Sequence, residues 1–131
     1  EALRVYGANL GMAFQLVDDA LDYAADQAVL GKEVGDDFRE GKVTLPVLAA
    51  YEHGSEKDRV FWRRVIEDSE QQDGDLAAAL ERIAATDAIG ITLARAEDYA
   101  AKAREALDLF GQSELKDLLR DTASYSVSRE R

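Results

Sequence analysis

Apolar residues recur at three- and four-residue steps through EALRVYGANLGMAFQLVDDAL, at Leu3, Tyr6, Leu10, Phe14, Val17 and Leu21. Only an α-helix gathers such positions on one side, so the rhythm predicts a long amphipathic helix from the first residue to about Asp26. A single proline and an abundance of Ala, Leu, Glu and Arg extend that prediction to the whole chain, an all-α helical bundle. The rhythm starts at once, without methionine and without an N-cap signal. We therefore read the chain as a piece of a longer protein, its first helix entered partway along.

Local punctuation separates the later helices. Residues 27 to 42, QAVLGKEVGDDFREGK, hold three of the nine glycines and form the longest irregular stretch. Thr44 reads as a cap with Pro46 in the first turn of a helix ending near His53 and Gly54. Ser55 caps the next, with Asp58 placed for a capping box. Asp75 starts another helix, Asp87 starts a long one through Phe110 that Gly111 closes, and Ser113 starts the last, which nearly reaches Arg131. No repeat or linker interrupts the series, so residues 1–131 read as one helical domain.

With 131 residues and 47% hydrophobic composition, the chain can bury a core of its own. A net charge of -11 speaks against nucleic acid or an anionic membrane surface as partner and favours cations, or ligands that arrive with cations. Cysteine is absent, which removes disulfides and thiolate metal sites and is compatible with a reducing cytoplasm. No apolar run has the length of a membrane span.

The first helix carries an opposed pattern. Gln15, Asp18, Asp19, Asp22 and Asp26 crowd one side, away from Leu10, Phe14, Val17 and Leu21. Like charges so spaced repel by about 0.2–0.5 kcal/mol per pair, and no Lys or Arg follows at i+4 to relieve them. A solvated acidic face is the plain explanation in a chain this acidic. Two features favour a cation instead. The acids cluster in one turn, and a glycine-broken segment carrying Lys32, Asp36, Asp37 and Lys42 follows immediately. Magnesium takes one or two carboxylates, keeps several waters and completes its shell with substrate phosphates. Lysines nearby can neutralise the phosphate oxygens that the metal leaves.

Together, GMAFQLVDDALDY and GKEVGDDFREGKVTLPVL resemble the second aspartate-rich region of the trans-isoprenyl (polyprenyl) diphosphate synthases, nearest to bacterial members making octaprenyl or decaprenyl diphosphate. The match is dense over residues 7 to 48, and the later helices resemble the family's C-terminal part. The resemblance implies the isoprenoid (terpenoid) synthase fold, a magnesium cofactor, and condensation of isopentenyl diphosphate with an allylic diphosphate. It implies catalytic and metal-holding roles for Asp18, Asp19 and Asp22, with Asp18 in direct contact and Asp22 holding metal-bound water. Lys32 would grip the allylic diphosphate, and Asp37 and Lys42 would sit at the rim of the same cluster. Phe14 and Gln15 would face the reacting isoprenoid ends. Arg129 and Arg131 resemble a basic tail that closes over the homoallylic diphosphate, or else are a solvated end.

The family's first DDxxD region and its isopentenyl diphosphate-binding basic residues are not in this sequence. The resemblance therefore implies an inactive fragment of a cytoplasmic, homodimeric parent that meets membranes only through its long product. The fragment is expected to self-associate through apolar surface. Two alternatives stay open: a short-chain farnesyl or geranylgeranyl synthase, and a noncatalytic helical interaction module of the same fold. His53 reads as a helix-end contact, and Trp62, Phe61, Val65, Ile66, Tyr99, Phe110 and Tyr125 read as core or packing surface. The run IEDSEQQDGD, residues 66 to 75, reads as an exposed turn.

Overall fold

A computed structural model describes residues 1–24 and 34–128. Among these residues all regular structure is helical. Helix α1 is Ala2–Ala24, α2 Asp36–Arg39, α3 Leu45–His53 and α4 Glu56–Trp62, which runs on into a π-helical turn, Arg63–Glu67. Helix α5 is Asp75–Ala85, α6 Ala88–Glu105 and α7 Glu114–Ser128. The contacts divide the chain into two compact units, one of Asp19–Thr92 and one of Glu1–Asp18 with Leu93–Arg131.

In the Asp19–Thr92 unit the core forms around Trp62, which is 2% exposed. Its indole meets Phe61 and Phe38 edge-on, with ring centroids 5.2 and 6.5 Å away. Such T-shaped pairs add about 0.5–1.5 kcal/mol each beyond the area they bury. Tyr23, Val47, Val65, Ala79 and Ile83 complete the packing. The caps lie where the sequence puts them. Thr44 is the N-cap of α3 with Pro46 in its first turn, and Ser55 heads a complete capping box on α4. Ser55 Oγ accepts from the Asp58 amide at 3.2 Å, and the Asp58 carboxylate accepts from the Ser55 amide at 2.9 Å.

The stretch from Ile66 to Asp75 is more than an exposed turn. Arg64 donates to both carboxylate oxygens of Asp75, at 2.8 and 2.9 Å, and Asp75 is only 7% exposed. The Arg64 guanidinium, together with the Gln72 amide, holds the Asp75 carboxyl below its ordinary range. Gln71 Nε2 donates to the carbonyls of Phe38 and Val65, at 2.7 and 3.0 Å.

In the other unit, Tyr6, Leu107, Ala103 and Ala123 form a small core, with Leu10 and Leu119 against it. Tyr6 donates its hydroxyl to the Leu119 carbonyl at 2.8 Å, anchoring α1 to α7. Helix α6 stops at Glu105 rather than Phe110. The amides of Leu107, Asp108 and Phe110 bond three residues back, to Arg104, Glu105 and Leu107. These tighter turns occupy carbonyls that a glycine C-cap would have satisfied, and Gly111 does not take a left-handed φ. Ser113 caps α7 as expected, accepting from the Lys116 amide at 3.0 Å. Tyr125 is 65% exposed and Phe110 39%, against their reading as packing residues. The inward positions near the end of α7 belong to Ala123, Ser126 and Val127, and helical phase carries Tyr125 to the outer side.

Candidate functional site at the end of helix α1

Helix α1 divides its acids between two environments. Asp18 is exposed, whereas Asp19 and Asp22 are buried, at 7% and 2%. Ala13, Leu16, Val17, Ala20, Leu21 and Tyr23 are buried as well. Phe14, expected among the core-facing residues, is instead 51% exposed, beside the exposed Gln15 and one helical turn before Asp18. The plain alternative, an acidic face in water, does not hold for Asp19 and Asp22. A buried carboxylate needs partners, and the segment that begins at Val34 supplies them to Asp22.

The Asp37 amide donates to Asp22 Oδ2 at 3.0 Å, and the Gly35 amide donates to the Asp22 carbonyl at 2.9 Å. The segment is shaped by Gly35, whose φ of 89° falls in the left-handed region that glycine adopts without strain. A Cβ there would also stand 2.5 Å from Leu76 Cδ1. Phe38, 2% exposed, plugs the segment into the core. The Lys42 amide then donates to the Asp37 carbonyl at 2.9 Å, and Lys42 itself is exposed. Thus Asp22, Asp37 and Lys42, which sequence places 15 and 5 residues apart, belong to one hydrogen-bonded unit. Asp26, Lys32, Arg129 and Arg131 lie outside the described residues.

Two hydroxyls border this acid group. Tyr23 and Thr44 are each 5% exposed, and neither has a well-formed hydrogen bond among the described residues. Burial pushes the Tyr23 phenol well above its ordinary value, and the charges of Asp22, Asp37 and Asp19 push the same way, against a smaller opposing effect of Thr44. The phenol therefore stays protonated. Sequence reading missed Tyr23, Thr44 and Gln71 as neighbours of the site. Tyr23 and Thr44 look like ordinary core and cap residues, and no short-range pattern ties Gln71 to a carbonyl 33 residues earlier.

Among the described residues no three carboxylate or imidazole groups converge into a ready-made metal cage. Magnesium takes one or two carboxylates, with waters and phosphate oxygens supplying the rest. Within the Asp19–Thr92 unit, Asp19, Asp22 and Asp37 offer only oxygen donors, and the buried hydroxyls of Tyr23 and Thr44 add polar oxygen beside them. The residues fit a hard divalent cation.

The all-helical architecture of the described residues is that of the isoprenoid synthase fold. The sequence profile described as polyprenyl synthetase matches residues 1–83. The chain belongs to the polyprenyl synthetase family. It is 42% identical to the octaprenyl diphosphate synthase of Escherichia coli strain K12 over 133 residues, covering 100% of this chain and 40% of that protein. The crystal structure of a polyprenyl synthase from Caulobacter crescentus CB15, complexed with calcium and isoprenyl diphosphate, superimposes with a TM-score of 0.91 at 47% identity. That match covers 100% of this chain and 40% of the other. A decaprenyl diphosphate synthase from Rhodobacter capsulatus gives a TM-score of 0.88 at 45% identity, over 99% of this chain and 40% of its own. The chain thus spans about two-fifths of the length of the relatives it matches.

Proposed function

We propose that these residues form the second aspartate-rich half-site of a prenyltransferase that extends an allylic diphosphate with isopentenyl diphosphate in head-to-tail fashion, yielding a polyprenyl diphosphate. The observation that carries this reading is the burial of Asp19 and Asp22 in a turn with no neighbouring lysine or arginine at i+4, joined to the segment that bears Asp37 and Lys42. Asp18, Asp19 and Asp22 hold the cation, Asp18 directly and Asp22 through water. Magnesium, when bound, supplies positive charge for the diphosphate that departs as the allylic C–O bond ionises.

The chain's own residues do the rest of the positioning. Lys32 and Lys42 place ammonium groups against the diphosphate oxygens, a point-charge contact that strengthens as negative charge develops there. Asp37 lies at the rim of that cluster, and Phe14 and Gln15 face the isoprenoid ends, where the double bond of isopentenyl diphosphate attacks and a proton is then lost. Arg129 and Arg131 close over the homoallylic diphosphate. The 131 residues alone contain one of the two aspartate-rich regions and turn over nothing, and the full-length enzyme acts as a cytoplasmic homodimer. No helix among the described residues is long and apolar enough to cross a membrane.

Titration of the full-length protein with magnesium and an unreactive allylic diphosphate analogue tests the reading. Metal-dependent binding is expected, weakened at least tenfold in Asp18→Ala. Absence of binding would favour a noncatalytic interaction module, and a product of three or four isoprene units would identify a short-chain synthase.

A further inference from the structure

We propose that Asp22 is a positioning residue, a two-point clamp whose carbonyl and carboxylate fix the acidic segment so that Asp37 and Lys42 are presented together. The inference deepens the functional reading above and rests on it. Helix α2 is only one turn long, and its N-cap, Gly35, has no side chain with which to satisfy the first amides. Asp22 does what a capping side chain would do, from 15 residues upstream: Oδ2 accepts from the Asp37 amide at 3.0 Å. Its carbonyl simultaneously accepts from Gly35 at 2.9 Å, on the other side of the left-handed turn. Two acceptors on one residue determine both the position and the direction of the segment's entry. From Asp37 the order passes along the main chain, through the Lys42 amide at 2.9 Å and the Glu40 amide on the Asp36 carbonyl at 3.1 Å. Gln71 holds the far side at the Phe38 carbonyl, 2.7 Å away.

Burying a carboxylate to 2% exposure is costly unless it is hydrogen-bonded. Acceptance of a backbone amide offsets that cost, and a charged acceptor strengthens the bond. The clamp explains why the third acid of the motif is buried while the first is exposed.

The test uses the full-length protein with Asp22→Asn, which keeps an acceptor oxygen without the charge, and Asp22→Leu, which keeps the volume without the acceptor. Asp22→Ser, whose oxygen is too short to reach, replaces the leucine variant if that one does not fold. Amide hydrogen exchange, read without metal or substrate, is the primary measurement, with α3 amides as internal reference. The clamp predicts exchange at Asp37 about tenfold faster in the leucine or serine variant and within about threefold of wild type in the asparagine variant. Unchanged exchange at Asp37 in the leucine or serine variant overturns the proposal. Affinity for magnesium with the unreactive allylic analogue is the second readout. Recovery in Asn relative to Leu supports positioning, and equal loss in both variants, with Asp37 still protected in Asn, overturns it in favour of charge alone. Failure of the wild-type protein to bind the analogue would sink the functional reading without touching the exchange result.

Discussion

Gly35 and Asp75 show how single residues fix the local backbone and local charge. At φ 89° an alanine would take a left-handed conformation costing about 1–2 kcal/mol, and its methyl group would force Leu76 aside. Gly35→Ala is therefore expected to lower stability by about 1–3 kcal/mol, measured by urea unfolding, and to weaken metal-dependent ligand binding with it. Asp75 sets a pH limit. Its carboxyl is held below the ordinary value of 3.8 by Arg64 and by the Gln72 amide, so the folded state binds that proton less readily than the unfolded chain. The resulting stabilisation is complete above pH 3.8 and is lost as pH falls through the lower folded value. In acid unfolding, the stability gap between wild type and Asp75→Asn should accordingly narrow below pH 3.8 and be constant near neutrality. A gap independent of pH across that range would contradict the assignment.

At the scale of elements, boundaries governed by local chemistry were legible. The Ser55 and Asp58 pair bonds as its spacing predicts, and Ser55→Ala should cost about 1 kcal/mol in thermal or denaturant unfolding. A change below a few tenths would show that α4 draws its start from packing alone. Ser113 was equally readable, because a cap involves residues only two or three apart, and Thr44 and Pro46 mark the start of α3 although the Thr44 hydroxyl makes no capping bond. The C-terminus of α6 was not. Gly111 looks like a stop signal, but the chain tightens into three-residue turns after Glu105, with Leu107 completely buried among Tyr6, Ala103 and Ala123. A partner 101 residues away in sequence takes part in that packing, and no local pattern encodes it.

For the molecule as a whole, the consequential feature is apolar surface left outside its cores. Leu115 and Leu118 on α7 are 65% and 61% exposed, with Tyr125 at 65% two turns further on, and Leu109 is 75% exposed just before the helix. Helical phase gathers the three α7 residues on one side. We expect the 131-residue chain to self-associate through this face, giving a concentration-dependent mass by light scattering. Leu115→Glu with Leu118→Glu should return it to monomer, and a wild-type monomer at high concentration would refute the expectation. The Escherichia coli and Caulobacter crescentus relatives are each matched over 40% of their length.

What the sequence determined by itself was the helical class, most helix starts and the order of the acids, lysines and glycines that mark the family. Each of these is set by short-range periodicity, by caps or by motif spacing. Tertiary structure alone decided which acids face water. The pattern of α1 predicted all of them on a polar side with Phe14 opposite, whereas Asp19 and Asp22 are enclosed and Phe14 is exposed. Burial depends on what the rest of the chain lays against a helix. Here the Gly35 turn and Phe38, brought back from beyond the described end of α1, cover the last turn of that helix and convert an acidic stripe into a structural clamp.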